Sequence, residues 1–293
     1  MDQKMTAIDI NRGTSGVALP QEVSNEIWAK TLNQSAFMTL AQNSTIPGSG
    51  VTIQTITGEP EAQWVDETAA KPVATHTFGK KVVKPHKLAV IEPFSMEFRR
   101  DANALYAECV NRLPYALGKK FDQTILGTKA PGDGFDVLGG CTKVSLKSDQ
   151  YKALVTAEDA IATADGIMDG IALAPKGKTM LLGVTDTTGH PLFNELSSDG
   201  ISRILGANVS VNKGVYVSGK PAIVGIAGDF SDARFYSVEG IQMSVSEEAT
   251  LTTTSGTINL WQQNMFAVRF EVEVSFVVKD AAEYVLLTDG VTA

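Results

Sequence analysis

Cysteine is almost missing from this chain: its 293 residues hold two, Cys109 and Cys141. Two so far apart exclude a disulfide framework and a cysteine-based zinc site, and a reducing compartment is the simple inference. Histidine is nearly as scarce. His76, His86 and His190 each stand alone, none in a ligand spacing such as H-E-x-x-H, so all three read as structural or solvated. Long apolar runs are lacking too. No stretch approaches the roughly 18 residues of a membrane span, and Met-Asp-Gln-Lys-Met-Thr-Ala carries no apolar signal core. The sequons at Asn33, Asn43 and Asn208 therefore carry no weight. An excess of positive charge is absent as well: 25 Lys and Arg against 33 Asp and Glu leave a net charge of −8. That argues against a basic groove gripping nucleic acid, though not against a container enclosing it.

Catalytic patterns fail one by one. Gly177-Lys178-Thr179 resembles the end of a phosphate loop, but Ala172 stands where that motif needs glycine. Gly13-Thr-Ser15 is no nucleophile elbow, because Val17 occupies the closing glycine position. Asp165-Gly and Asp169-Gly lack the remaining positions of a calcium loop. Glu271 and Glu273 lie on one face of a strand, where a wet surface explains them better than acid–base work. Cys109 falls on a helical stripe and reads as a small core residue. No catalytic residue, cofactor site or metal ligand is expected, and the chain is not expected to be an enzyme.

What is present is a strongly periodic framework. Hydrophobic residues make up 43% of the chain, ample for a core. Phe266, Val268, Phe270, Val272, Val274, Phe276 and Val278 alternate with Ala267, Arg269, Glu271, Glu273, Ser275, Val277 and Lys279. Period two predicts one strand of roughly 40 Å, buried on one face and largely wet on the other. Its cover is expected from a helix over 101–127, N-capped by Asp101 and stopped by Gly127. Leu105, Cys109, Leu113, Leu117, Phe121 and Ile125 recur at every fourth residue there, widened by Tyr106, Val110 and Ala116. Pro114 predicts a kink, or two abutting helices.

Residues 1–18 read as a flexible arm, and Pro20 opens an expected helix through Gln42. Pro47-Gly48-Ser49-Gly50 is a turn before the strand-like Val51–Ile56. Glu59, Glu61, Asp66 and Glu67 then come without Lys or Arg among them, while the return limb holds Lys71, Lys80, Lys81, Lys84 and Lys87. With Trp64 and Phe78 as its few large residues, this segment reads as a projecting hairpin; the plainer alternative is a solvated hairpin whose limbs pair only with each other. Beyond a boundary near 145–152 the pattern mixes α and β. Thr156-Ala-Glu-Asp159 opens a helix, Thr179–Leu182 reads as a buried strand, and 191–205 as one or two short helices. Short strands are expected at 215–217, 222–226, 234–238 and 241–245.

The order of these parts, with several motifs, resembles the major capsid proteins of tailed phages, the Hong Kong 97-type fold. The likeness rests on Val17-Ala-Leu-Pro-Gln-Glu-Val-Ser-Asn-Glu-Ile27, on Ala62-Gln-Trp64-Val-Asp-Glu67, and on Lys87-Leu-Ala with Ser95-Met-Glu-Phe and Asp101. Phe121-Asp122 to Gly127, Gly189-His-Pro-Leu192, Leu205-Gly206, Gly228-Asp229-Phe230 and Arg269–Ala282 complete it. The resemblance spans nearly the whole chain. It implies an α+β fold with an N-terminal arm and first helix (1–50) and an extended β-hairpin loop (51–87). A peripheral domain would take 88–151 and 261–280 with a spine helix over 98–127, and a mixed α/β axial domain 152–260 and 281–293.

The implied function is a structural shell protein that self-assembles into homo-hexamers and homo-pentamers of an icosahedral head. It would enclose double-stranded DNA without sequence-specific binding, be part of the virion, assemble in the host bacterial cytoplasm and touch no membrane. A start at Met1 close to the arm implies either a separate scaffolding protein or a shell that assembles without one; a portal is the other expected partner. An encapsulin-like compartment holding cargo enzymes and an α/β enzyme with an unrecognised site are the alternatives. Contact between subunits is expected at Glu59, Glu61, Trp64, Asp66, Glu67, Lys71, Lys80, Lys81 and Lys84. Reversing Lys80 and Lys81 is expected to block particle formation while leaving the melting temperature nearly unaltered. Family members that crosslink join a loop lysine to an asparagine; Lys71 or Lys80 with Asn259 or Asn264 would be the pairs here, and none is expected to form.

Overall fold

In the computed structural model, described residues are 34–57, 77–101, 103–185, 203–253 and 256–290, with isolated positions 28, 31, 32, 64, 65, 71, 73, 188, 190, 192 and 193. The chain begins with helical residues at 28, 31, 32 and 34, then α1 (Ala36–Leu40) and β1 (Gln42–Thr45). The hairpin β2 (Val51–Thr57) and β3 (Thr77–Val83) leads into β4 (His86–Ser95). Helices α2 (Met96–Asp101) and α3 (Asn103–Ile125) follow, then β5 (Thr142–Ser145), α4 (Gln150–Thr163), β6 (Gly170–Leu173) and α5 (Pro175–Leu182). After these come β7 (Arg203–Ile204), β8 (Ala207–Val211), β9 (Ile223–Gly228), β10 (Arg234–Ser237) and β11 (Gln242–Ser246). The chain closes with the hairpin β12 (Thr250–Thr253) and β13 (Gly256–Asn259), then β14 (Met265–Val277) and β15 (Tyr284–Thr288).

β14 organises the first sheet. On one side it pairs antiparallel with β4 from Met265↔Ser95 to Val274↔His86; on the other it pairs with β11 and then β10, and β1 runs parallel to β10. Its 13 residues reach about 43 Å at roughly 3.3 Å each. Phe266, Val268, Phe270, Val272, Val274 and Phe276 are buried in one cluster with Leu113, Leu117, Phe121 and Ile125 of α3. The expected cover is therefore in place. Phe276 sits edge-on to Phe37 at 5.5 Å and to Phe121 at 6.3 Å, the offset geometry that aromatic quadrupoles favour. The opposite face is wet only at its centre. Arg269 is exposed and Glu271 and Glu273 half-buried, whereas Ala267, Ser275 and Val277 are buried.

A six-stranded sheet in the order β5-β15-β9-β6-β8-β7 forms the second layer system. Its central strands are buried on both faces, so they read as continuous apolar runs. Period two sorts β15, where Leu286 joins the α3 cluster while Val285 and Leu287 pack with Leu154, Ala157 and Ile161 of α4. In β9 the register shift at Leu287–Thr288 skips Val224 and lets it join the α4 side, although Ile226 lies with α3. The sheet is sandwiched between the two cores. Sheet membership crosses the expected domain limits at two places: β5 pairs with β15, and β10 and β11 pair with β14.

Several local expectations are corrected. α3 runs through Pro114 with no break there; Asp101 is the last residue of α2 and not a cap, and Ala116 is exposed. The side chains of Leu105, Tyr106, Cys109 and Val110 lie outside the described residues. The helix expected from Pro20 through Gln42 is interrupted at Ser35, whose extended backbone lets its hydroxyl accept from Met38 N and cap α1, and Gln42 is already strand; 20–27 lie outside the described residues. α4 starts at Gln150, not at Thr156: Asp149 caps it by accepting from Lys152 N at 3.0 Å, and Thr156 sits mid-helix, its hydroxyl turned back to Lys152 O. Thr179–Leu182 is the end of α5, and the strand lies earlier, in β6. Lys213–Val215 is a 3-10 turn and only Val217 bridges to Ile223. Arg203 and Ile204 are strand; most of 191–202 lies outside the described residues. The strands expected at 222–226, 234–238 and 241–245 form as β9, β10 and β11.

Candidate assembly surface

The hairpin β2–β3 stands apart from the two large cores. Its ladder runs from Val51↔Val83 to Thr57↔Thr77, and among the described residues its strands pair with no other strand. Its root is packed. Val83 is buried with Ile46, Tyr236 and Val277, and Ile53 lies against them. Two glycines make that close approach possible. Gly50 has φ +80, and a Cβ there would meet Val83 O at 2.4 Å; Gly134 has φ +79, and its Cβ would meet Lys84 N and Val82 O at 2.7 Å.

Asp136 locks the root. Its backbone N–H donates to Phe276 O at 2.8 Å, and its carboxylate accepts from Val278 N at 2.9 Å and from the Lys81 ammonium at 2.5 Å. Lys81 also donates to Val278 O at 2.6 Å. One lysine on β3 thus ties the hairpin to the end of β14 and to the loop after α3. Lys87 works one strand further on. From β4 it sits 3.4 Å from both Glu271 and Glu273 of β14, and the hydrogen bond to Glu271, first among the causes, raises its pKa. The carboxylate pair is therefore ion-paired surface, as its place on a wet strand face suggested.

The expected contact residues divide accordingly. Lys80, Lys84 and Lys71 are exposed, and Trp64 at 105% relative exposure covers nothing. Lys81 bonds within its own chain, to Asp136 and Val278 O. Glu59, Glu61, Asp66 and Glu67 lie outside the described residues. The limbs do not oppose charge to charge along the ladder, for Lys80 faces Gln54 and Lys81 faces Ile53. His86 Nε2 donates to Asp133 O at 3.1 Å, and its ring lies edge-on to Phe135, so it is structural; His76 lies outside the described residues.

A second polar junction fastens the segment leading into α1. Asp122 of α3 is completely buried and accepts from Ser35 Oγ at 2.5 Å and Ala36 N at 3.0 Å. Burial pushes its carboxyl up to about 7 against those hydrogen bonds. Asn212 reaches the same segment by donating from its amide to Gln34 O. Sequence reasoning places Asp122 only within the 121–127 motif, without a role, and does not name Asp136. Asp122 carried a signal, since an acid at i+4 from Gly118 and i−3 from Ile125 falls on the buried stripe of α3. Cys141 is half-buried, donates to Ala281 O at 3.2 Å, and has its thiol pushed up to about 11 by burial. It is poorly set for nucleophilic work. Among the described residues no group of His, Cys, Asp and Glu is arranged to hold a metal, and no helix is long and apolar enough to cross a membrane.

The described residues form a mixed α/β body with a hairpin rooted by its own ion pair. The solved structures similar to it define the class. A structure from Gordonia phage Cozz matches with a TM-score of 0.71 at 20% identity, covering 88% of this chain and 87% of that one. One from Mycobacterium phage Cain matches with 0.71 at 23% identity, over 89% and 92%. The fold is that of phage capsid structures. Its sequence agrees: the model of the phage capsid family matches residues 15–289. The "probable major capsid protein gp17" of Mycobacterium phage D29 is 28% identical over 298 residues, 94% of this chain and 91% of that protein. The chain belongs to the phage capsid family, as a structural major capsid protein of a tailed phage and hence a component of the virion.

Proposed function

We propose that copies of this chain tile an icosahedral head as homo-hexamers and homo-pentamers, each laying its hairpin, residues 51–87, across a neighbour. The observation that carries this reading is the contrast between the two parts of that hairpin. Its root is packed and ion-paired through Lys81 and Asp136, yet Val82 on its outer face and Trp64 and Val73 beyond it are exposed. Apolar groups held out on a rigid base gain their burial only from another molecule. Lys71, Lys80 and Lys84 with Glu59, Glu61, Asp66 and Glu67 would then set register on that neighbour, where partial desolvation makes charge pairing selective. Lys81 serves this role indirectly, by aiming the hairpin.

In this reading residues 1–50 form the arm and first helix, and α2 with α3 the spine over 98–127. The peripheral domain takes 88–151 and 261–280, and the axial domain 152–260 and 281–293. The sheets favour moving β5 to the axial part and β10 and β11 to the peripheral part. The net charge of −8 suits a wall that encloses double-stranded DNA without gripping its sequence. A separate scaffolding protein and a portal would take part, with assembly in the host bacterial cytoplasm. The phage relatives do not favour a cargo compartment or an enzyme. Lys80→Glu with Lys84→Glu tests the loop contact. The double variant is expected to keep the wild-type melting temperature and yield no particles by light scattering; normal particles would refute the contact.

A further inference from the structure

The outer face of the five-stranded sheet is finished differently at its two ends. At the Val277 end of β14 the chain covers itself, with the hairpin root packed on that residue. At the other end Ala267 is buried too, but a groove of about 280 Å³ stays open beside it, lined by Ile91, Arg269, Ala249 and Leu251. Ile91 lies directly across the ladder from Arg269 and is 48% exposed, on a face where alternation calls for polar residues. Arg269 is pinned flat along this groove: its Nε donates to Ser244 Oγ at 3.1 Å and lies 3.4 Å from Glu271.

Beside the groove stands the bulkiest exposed side chain of the sheet region. Trp261 is 77% exposed on the turn between β13 and β14. The turn is not loose. Leu260 beneath it is fully buried and donates to Ala249 O at 3.1 Å; Met265 N returns to Leu260 O at 2.9 Å; Gln262 N is held by Asn259 Oδ1 at 3.1 Å. Asn264, with φ +53, closes the turn and accepts from Met96 N at 3.0 Å. A rigidly mounted indole loses little side-chain entropy on binding, the property that makes tryptophan an interface anchor.

We infer that Trp261 of one copy seats in the Ile91–Leu251 groove of a second copy, its ring over the Arg269 guanidinium. Two features select a second copy as occupant. The knob is aromatic and the socket an apolar floor bearing one immobilised arginine, the pairing that cation–π attraction favours. Knob and socket are also joined on one protomer through the Leu260–Ala249 hydrogen bond. A rotation axis passing near that bond brings each indole to the next groove and closes the contact into a ring or pair. The inference rests on the shell reading but concerns a surface apart from the hairpin.

The test uses the chain's three tryptophans, Trp28, Trp64 and Trp261. With Trp28→Phe and Trp64→Phe, Trp261 is the sole indole, and its emission and iodide quenching are read in dissociated subunits and in assembled particles. The expected result is a blue shift and a severalfold loss of quenching on assembly. Particles in which Trp261 stays as quenchable as in free subunits overturn the inference while leaving the shell reading intact; no particles from the unaltered chain overturns both. In the otherwise native chain, Trp261→Ala, which empties the knob, and Ala249→Trp, which fills the socket, are each expected to lower particle yield without lowering the melting temperature. Wild-type yield from both variants also overturns it.

Discussion

Asp122 makes the pH dependence of this protein's stability calculable. Its carboxyl is fully buried between α3 and the start of α1, and burial raises it from an ordinary carboxylate value to about 7. Below roughly pH 4 both the folded and the unfolded chain hold this proton, and Asp122 makes no difference. Between about 4 and 7 the unfolded chain releases it and the folded chain keeps it, so stability falls as pH rises. Above 7 both forms are ionised and the loss stays constant. A shift of about three units corresponds to about 4 kcal/mol at most, near a third of the stability of a typical domain. Asp122→Asn removes the titration, while its Oδ1 still accepts from Ala36 N and its amide can donate to Ser35 Oγ. Lys119, Lys120 and Lys213, ionic neighbours in sequence to this junction, are exposed and screened. Glu283, also raised chiefly by burial, titrates in the same direction in both proteins and cancels in the difference. Urea denaturation of unassembled chains from pH 5 to 8 should therefore show wild type losing stability relative to the variant as pH rises. Parallel curves would refute the reasoning.

Three further outcomes follow from the hairpin root and its surroundings. Lys81→Met breaks the bonds to Asp136 and Val278 O and is expected to cost about 1–2 kcal/mol, read as a lower melting temperature and faster proteolysis in 51–83. Unchanged proteolysis would show that the root is held by its apolar contacts alone. Gly134→Ala forces a Cβ to 2.7 Å from Lys84 N at φ +79 and should destabilise by about 1–3 kcal/mol, whereas Gly140→Ala, with open space around it, should not. Mature particles should run as a single band on a denaturing gel, because no local motif singles out Lys71 or Lys80 for a pair with Asn259 or Asn264. A ladder of high-mass bands would contradict that expectation.

Legibility in the sequence tracked how far each element's environment is set by its own residues. β14 was readable because alternation records a sheet with one buried face, and Phe266 to Phe276 keep that alternation throughout. The ends of its other face were not, since Val277 and Ser275 are covered by residues more than a hundred positions away. Thr179–Leu182 misled because a four-residue apolar run has no period, and only the buried stretch before it, Gly170–Leu173, decides which is strand. At α4 the Thr156-Ala-Glu-Asp159 pattern reads as the opening, but Asp149, whose side chain reaches an unpaired N–H, sets the start. The charge argument for the hairpin located the element but not the partner of Lys81. Sequence shows that a lysine lies on the return limb; only the register, Ile53↔Lys81, turns it inward to Asp136. Trp261 and its groove could not be seen at all, because nothing in a chain says which aromatic folding will leave uncovered.

The central claim is that this chain is complete only among copies of itself. Sedimentation velocity on the purified protein, with negative-stain images of the same sample, tests it most directly. The account predicts capsomers or closed shells and no lasting species at 31.2 kDa. A monodisperse monomer that persists at high concentration, with no particles on the grid, would contradict it.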